Sequence, residues 1–194
     1  EMYEQPKAIL DTFSPRIKGN EVVIDELGMS DDEIRAVKKI MIVACGSAYH
    51  AGVTGKYIFE GLTRIPVEVD TASEFRYRDP IIEDGTLLIV ISQSGETADS
   101  LAAIREAHAK GGKGLGIVNV VGSSIAREAD NVMYTWAGPE IAVATTKAYS
   151  CQLIAEYLLA MKFAHVRGKI SDAELADMIE DMKELPAQVE MLLN

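Results

Sequence analysis

The sequence predicts an α/β fold, in which a five-stranded parallel sheet lies between two layers of helices as a three-layer αβα sandwich. Short apolar runs at residues 40–45 and 87–91 are typical of strands that are buried on both faces. Runs with helical periodicity separate these strands, and such alternation produces βαβ units and a parallel sheet. The chain has 194 residues, of which 48% are hydrophobic, and this suffices for one domain with a substantial core.

In the first half of the chain, the predicted elements begin with a helix over residues 1–13, with Pro6 near its start. Ser30 and Glu33 form a capping box, in which each side chain accepts a backbone N–H at a helix start. The elements that follow are a strand at residues 40–45, a helix at 47–61, a short strand at 67–69 and the central strand at 87–91.

The second half continues the alternation with a helix over residues 97–110, where Leu101 and Ile104 lie on one apolar stripe. Ser171 and Glu174 form a second capping box that begins the last helix, which Pro186 should kink or end. The elements between them are strands at residues 114–121 and 131–135 and a long apolar helix at 145–166.

We predict three segments: a helical lead-in over residues 1–38, a ligand-binding domain over 39–168 and a C-terminal helix over 169–194. The apolar last helix, through Met178, Met182, Leu192 and Leu193, could pair with another subunit or with a missing part of the protein.

The composition excludes several classes of protein. A net charge of -11 argues against a nucleic-acid-binding surface, which would require clustered Lys and Arg. No apolar run reaches the length of a membrane span, and no leader peptide is recognisable. Cys45 and Cys151 lie in apolar runs, and we expect both to be buried thiols of a cytoplasmic protein. No spacing of Cys, His and carboxylates suggests a metal site, and no cofactor is expected.

A polar corner, SQSGET at residues 92–97, directly follows the central strand. Ligands of parallel sheets bind at the carboxyl ends of the strands, where the free N–H groups of helix starts attract anions. Gly95 allows the backbone to approach a ligand closely, and hydroxyls can donate to phosphate oxygens. The corner therefore predicts a site without a basic side chain for the phosphate of a sugar monoester.

The polar corner has three other interpretations: helix capping, a nucleophile elbow and a nucleotide-binding loop. Ser94 or Thr97 could simply cap the following helix. A nucleophile elbow requires Gly-x-Ser-x-Gly, but Ser92 and Glu96 occupy the two glycine positions. A Walker A loop is disfavoured because the run GVTGKY at residues 52–57 is too short and lies inside a predicted helix. Capping remains open, whereas the pattern argues against a serine nucleophile and against nucleotide binding.

Several segments resemble the SIS (sugar isomerase) domain family: ACGS at residues 44–47, ASEFRY at 72–77, SQSGET at 92–97, VGSS at 121–124, AGPE at 137–140 and TKA at 146–148. Their combination is similar to the first SIS half of the isomerase part of glutamine–fructose-6-phosphate aminotransferases, which produce glucosamine 6-phosphate. The resemblance implies a flavodoxin-like or Rossmann-like strand order.

The resemblance also implies a set of residues that bind the sugar phosphate, and fructose 6-phosphate in particular. Contacts with the phosphate are expected from Ser92, Gln93, Ser94 and Thr97, with help from Ser47. Contacts with the sugar are expected from Thr145 and the backbone of Val143, and Glu140 is expected to orient it. Ala48 departs from the pattern, because many family members have a hydroxyl there, so one hydrogen bond is in doubt.

The family resemblance further implies that the chain is a fragment, and Glu1 in place of an initiating Met agrees with this. A glutaminase domain and a second SIS half would be missing, together with the glutamate, histidine and lysine that carry out the isomerisation. We therefore expect no catalytic residues and no turnover from this chain alone, and a homodimer for the parent. The alternatives are a stand-alone SIS isomerase and a sugar-phosphate sensor, although no helix-turn-helix is present. Lys147 could contact the sugar or phosphate, and His50 could approach the site in an oligomer, but structural roles are expected for both.

Overall fold

The computed structural model describes residues 1–194 as helices and strands that alternate along the chain. The strands are β1 Ile17–Lys18, β2 Glu21–Val22, β3 Lys39–Ala44, β4 Val67–Thr71, β5 Thr86–Ser92, β6 Lys113–Val118 and β7 Asn131–Tyr134. The helices are α1 Gln5–Phe13, α2 Asp31–Ala36, α3 Ser47–Thr63, α4 Ala72–Tyr77, α5 Ala98–Ala109, α6 Ser124–Glu128, α7 Lys147–Val166 and α8 Asp172–Leu193.

Five parallel strands form the central sheet in the order β4-β3-β5-β6-β7, which confirms the predicted fold class. The chain moves from β3 outward to β4 and then returns to β5 on the other side of β3. This reversal opens a crevice between the carboxyl ends of β3 and β5, where ligands of such sheets bind. Ala44 pairs with Ile91, so both strands end at the same height.

Alternate residues of each strand pack against opposite helical layers. Ile42 and Ile89 belong to the larger core, which also contains apolar residues of α3 and α7. Val43 and Val90 face the other layer and pack with residues of α4, α5 and α6. Burial on both faces explains why these strands are apolar throughout.

The terminal helices belong to the same core as the sheet, since Phe13 of α1 and Ile179 of α8 are both buried in the larger cluster. The expectation that the methionines of α8 pair with another subunit is wrong for Met182, which is buried, and Met178 is half-buried against the core. Both capping boxes form as predicted, at Ser30 and Ser171.

Two sequence predictions in the second half of the chain need correction. Of the two effects predicted for Pro186, a kink or an end of the helix, the end is not found: α8 continues to Leu193, because the helix already has several turns before the proline and further turns add hydrogen bonds. The strand predicted at residues 114–121 ends at Val118, and a turn follows in which Val121 is exposed. No helix has the length and apolar composition needed to cross a membrane.

Glu156 is a buried carboxyl between α3 and α7. It is 0% exposed, and neither of its oxygens has a hydrogen-bond partner. Burial raises its pKa well above the usual value, because the charged form loses its hydration. Gly55 makes room for it, since a Cβ at that position would lie 2.5 Å from the carboxyl carbon.

Candidate functional site

A pocket of about 230 Å³ lies at the carboxyl ends of β3 and β5. All eight residues predicted to bind the sugar phosphate line it, although their contacts with a ligand remain a prediction. The complete lining consists of Cys45, Ser47, Ala48, Ile91, Ser92, Gln93, Ser94, Thr97, Glu140, Ala142, Val143, Thr145 and Gln152.

The corner after β5 is held by hydrogen bonds among its own groups. The Ser92 hydroxyl accepts the N–H of Gly95 at 3.0 Å and lies 3.1 Å from the Thr97 hydroxyl. Gly95 has a φ of 67°, which favours glycine, and its carbonyl accepts the N–H of Ile125 at 2.9 Å. The loop is therefore fixed before any ligand arrives.

Glu96 points away from the pocket, towards the start of α6. Its carboxylate accepts the N–H of Ser124 at 2.8 Å. Hydrogen bonds from the hydroxyl and the N–H of Ser124 lower the pKa of Glu96, so it stays ionised. The negative charge of the SQSGET motif is thus bonded to the start of α6 and lies outside the pocket lining.

The structure also decides the capping interpretation of the hydroxyls. Thr97 is at the N-cap position of α5, but its side chain makes no capping hydrogen bond. The Ser94 hydroxyl accepts the N–H of Glu96 at 3.2 Å, a bond inside the loop rather than at the helix start. Helix capping therefore does not account for these side chains, and the Ser94 O–H is free to donate into the pocket.

Three helices begin at the pocket. Ser47 is the first residue of α3, Thr97 directly precedes α5, and Thr145 lies two residues before α7. Helix starts have unsatisfied N–H groups and a positive partial charge, and both attract anions. No Lys, Arg or His lines the pocket, so only these helix starts and neutral hydroxyls are available there to stabilise an anion.

Glu140 organises the loop between β7 and α7. Its carboxylate accepts the Thr145 hydroxyl at 2.8 Å and the N–H groups of Thr146 and Ala148 at 2.8 and 3.3 Å. These bonds hold Thr145 at the pocket and cap the start of α7. The Val143 side chain is fully exposed at the tip of this loop.

The same loop is held from outside by the first residue of the chain. The Glu1 carboxylate accepts the N–H groups of Ile141 and Ala142 at 2.6 and 3.1 Å. These two bonds lower the pKa of Glu1. Lys147, at the start of α7, pairs with Glu4. The structural role expected for Lys147 is therefore confirmed, because its buried side chain links α7 to the N-terminal segment.

Some residues at the pocket were not predicted from the sequence, and the predicted burial of one is wrong. Cys45 is half-buried and lines the pocket instead of being fully buried, because it lies just beyond the end of β3. Cys151 is buried as expected, and burial raises the pKa of its thiol to about 11. Gln152 was also missed, since one amide in an apolar helix gives no pattern. Asn119, which lies outside the pocket lining, was not predicted either, and its side chain holds the chain after β7 through Gly138 and Ala137.

The histidines lie outside the pocket lining. His108 and His165 contact the carboxylates of Asp130 and Asp172 at 2.8 and 2.7 Å, and His50 packs edge-on against the neighbouring Tyr49. No group of three or more His, Cys, Asp or Glu side chains is arranged to hold a metal ion.

Comparison with known proteins gives a family and several similar chains. Residues 33–162 match the family described as SIS domain. The chain is 55% identical over 195 residues to the glutamine–fructose-6-phosphate aminotransferase (isomerizing) of Caldanaerobacter subterraneus, and 57% identical over 194 residues to that of Clostridium perfringens. In both cases the match covers 100% of this chain and 32% of the relative, so the chain spans about a third of the length of these relatives.

Among solved structures, the C-terminal domain of glucosamine-fructose-6-phosphate aminotransferase from Francisella tularensis is similar, with a TM-score of 0.90 and 39% identity. The match covers 96% of this chain and 52% of that chain.

Proposed function

The chain belongs to the SIS domain family, and from this we propose that its pocket binds the phosphate of fructose 6-phosphate. The observation that carries the proposal is the convergence of three helix starts and several hydroxyls on a pocket without basic side chains. A phosphate monoester offers only acceptor atoms for these donors and carries the negative charge that helix starts favour.

The proposed contacts divide the pocket into two parts. Ser92, Ser94 and Thr97 donate to the phosphate, and Gln93 and Ser47 support them from the ends of β5 and β3. The sugar lies against the loop after β7, next to Thr145 and the backbone of Val143. Glu140 acts through Thr145, because the carboxylate accepts that hydroxyl and two backbone N–H groups. Ala48 has no hydroxyl, so Ser47 is the donor at the start of α3.

We further propose that the chain is the first SIS half of a glutamine–fructose-6-phosphate aminotransferase. Its 55% identity to such a relative over the full length of this chain supports this. In this proposal, residues 1–38 form the lead-in from a glutaminase domain, 39–168 the sugar-phosphate domain and 169–194 the link to a second SIS half. The parent enzyme transfers ammonia from glutamine and isomerises the product to glucosamine 6-phosphate.

The parent is also proposed to be a cytoplasmic homodimer. Both cysteines are free thiols, as expected in a reducing compartment. Met191 and Leu192 near the end of α8 are exposed apolar side chains, and they are available for contact with another part of the protein.

By itself the chain should bind the sugar phosphate without converting it. Isomerisation needs a base within hydrogen-bond reach of a carbon-bound proton. Glu140 is the only ionisable carboxylate in the pocket lining, and it already accepts three hydrogen bonds. Steady turnover of fructose 6-phosphate by the purified chain would contradict this part of the proposal.

Isothermal titration with fructose 6-phosphate tests the binding. The variants Ser94→Ala and Thr97→Ala should each lose about 1.5–3 kcal/mol of binding free energy, because each substitution removes a hydrogen bond to a charged group. Thr54→Ala is a suitable control, since this hydroxyl lies on α3 away from the pocket and bonds to the His50 carbonyl. Equal affinities of the wild type and the Ser94/Thr97 double variant would contradict the proposed phosphate site.

A further inference from the structure

Gln152 is the one nearly buried side chain of the pocket whose hydrogen-bonding groups are unused. It lies on the second turn of α7 and is 4% exposed. Its amide makes no hydrogen bond within the chain, but neither the amide nitrogen nor the amide oxygen is completely buried. The remaining exposed part of the side chain is therefore the amide itself, and the surface that it lines is the pocket.

The neighbouring polar groups differ from Gln152 in this respect. The Thr145 hydroxyl is bonded to Glu140, and the Ser92 hydroxyl to Gly95. The amide of Gln152 is reachable only from the pocket, so water satisfies it when the pocket has no ligand. A ligand that fills the pocket displaces this water and has to supply the hydrogen bonds itself.

We propose that Gln152 binds a hydroxyl group of the sugar, an assignment that rests on the proposed function of the pocket. An amide has both donors and an acceptor, and a hydroxyl group likewise donates and accepts. Phosphate oxygens at neutral pH chiefly accept, so a phosphate would leave the amide oxygen of Gln152 unpaired. Gln152 also lies on α7, whose preceding loop supplies Thr145 to the proposed sugar side of the pocket.

Replacement of Gln152 by Met in the full chain separates these roles, because Met has a similar length and no amide. Affinity for fructose 6-phosphate should fall about tenfold, which corresponds to the loss of one or two neutral hydrogen bonds. Affinity for inorganic phosphate should not change, because inorganic phosphate has no sugar hydroxyl for Gln152 to bind. The midpoint of thermal unfolding should stay the same or rise, because the substitution removes no hydrogen bond within the chain. If Gln152 had only a structural role, the midpoint of thermal unfolding of the Met variant would fall and its affinity for fructose 6-phosphate would stay the same.

Gln188→Met is the matched control. Gln188 is on α8, where it is exposed and bonded to Glu184 at 3.2 Å, and its replacement should leave both affinities unchanged. A second variant, Gln152→Asn, keeps the amide and withdraws it by one methylene from the pocket. It should also weaken binding of fructose 6-phosphate, and it provides the test if the Met variant does not fold.

The outcomes distinguish this assignment from the proposed function. If the wild type does not bind fructose 6-phosphate, the proposed function fails. If the wild type binds and Gln152→Met binds equally well, only the assignment of Gln152 fails. Equal weakening of fructose 6-phosphate and inorganic phosphate would place Gln152 at the phosphate instead and would overturn the sugar assignment.

Discussion

Two cavities of similar size lie at opposite edges of the same sheet. The pocket at the carboxyl edge measures about 230 Å³ and contains one charged side chain, Glu140. The cavity at the amino edge measures about 200 Å³, and its lining includes Glu33, Glu83, Asp84 and Lys113. β5 contributes to both, with Ser92 at one end and Thr86 at the other.

The chemistry of the lining, rather than the size, distinguishes the proposed sugar-phosphate pocket from the other cavity. At the amino edge, three carboxylates surround one lysine, and Lys113 is already bonded to Glu33 at 2.6 Å. A phosphate there would be repelled and would find no free cation. At the carboxyl edge, by contrast, donors converge while Gln152 and Ser94 retain unused hydrogen-bonding capacity. The two cavities therefore differ in the charge of their lining and in the number of donors that face the cavity, and not in volume.

The largest expected effect comes from replacing Gly95 at the carboxyl edge by alanine, and a glycine at the amino edge serves as its control. Gly95 has a φ of 67°, and its new Cβ would lie 2.5 Å from the Cβ of Ser123. We expect Gly95→Ala to weaken fructose 6-phosphate binding at least about a hundredfold and to cost about 2–3 kcal/mol of stability, from backbone strain plus the clash. Titration and urea unfolding measure the two effects.

Gly111 at the amino-edge cavity provides the matched control. Its φ of 78° imposes a similar backbone strain, but a new Cβ would meet no atom within 4 Å. Gly111→Ala should therefore lose about 1 kcal/mol of stability and retain full affinity. A loss of affinity in Gly111→Ala as large as that in Gly95→Ala would remove the distinction between the two edges.

A smaller effect, of opposite sign, is expected from Thr86 at the amino edge. The Thr86 hydroxyl is buried and has no hydrogen-bond partner. Replacement by the isosteric Val should raise the free energy of unfolding by about 1 kcal/mol, because an unpaired buried hydroxyl is removed. Affinity for fructose 6-phosphate should be unchanged, whereas Thr97→Val at the other edge should weaken it. A stability loss in Thr86→Val would show that the hydroxyl is in fact satisfied.

The smallest effect is a pH dependence at the amino edge. The hydrogen bond from Lys113, followed by those from Ser30, lowers the pKa of Glu33 to about 2. A carboxyl with a lowered folded-state pKa stabilises the fold fully above its unfolded-state pKa, which is about 4.3. This contribution is lost as the pH falls from about 4.3 through about 2, and below that pH the carboxyl is protonated in both states.

Glu33→Gln should therefore be less stable than the wild type at pH 7, and the difference should shrink as the pH falls from about 4.3 to 2. Urea unfolding at a series of pH values measures it. Affinity for fructose 6-phosphate at pH 7 should be the same in both proteins. A stability difference that is constant across this range would mean that Glu33 does not act through its charge.

Much of the fold was predictable from the sequence because the central strands are buried on both faces. The apolar run at residues 40–45 corresponds to β3 within a residue at each end, and the run at 87–91 lies within β5. α4 and α6 were missed, since six and five residues are too few to display a helical period. The turn after β6 was mistaken for strand because Val120 and Val121 are apolar although they are exposed.

The candidate site was predictable only in part. Strand-to-helix corners locate it, and the SQSGET motif indicates the chemistry, because both are local features of the sequence. Whether the Gln152 side chain reaches the pocket depends on how α7 is rotated, and that rotation is set by tertiary packing. The buried state of Glu156 depends on the same packing and on the space that Gly55 leaves.

The bonds from Glu1 to the loop at Ile141 and Ala142 also bear on the order of folding. They join residues 140 and 141 positions apart in the chain, so this part of the pocket can close only after nearly the whole intervening chain is ordered. Contacts of such long range carry a large loop-closure entropy and tend to form late. On a ribosome, the sheet strands β3 and β5 can pair while the loop has yet to be synthesised. Pulse-labelling hydrogen exchange should therefore find the N–H groups of Ile141 and Ala142 protected after those of the central strands.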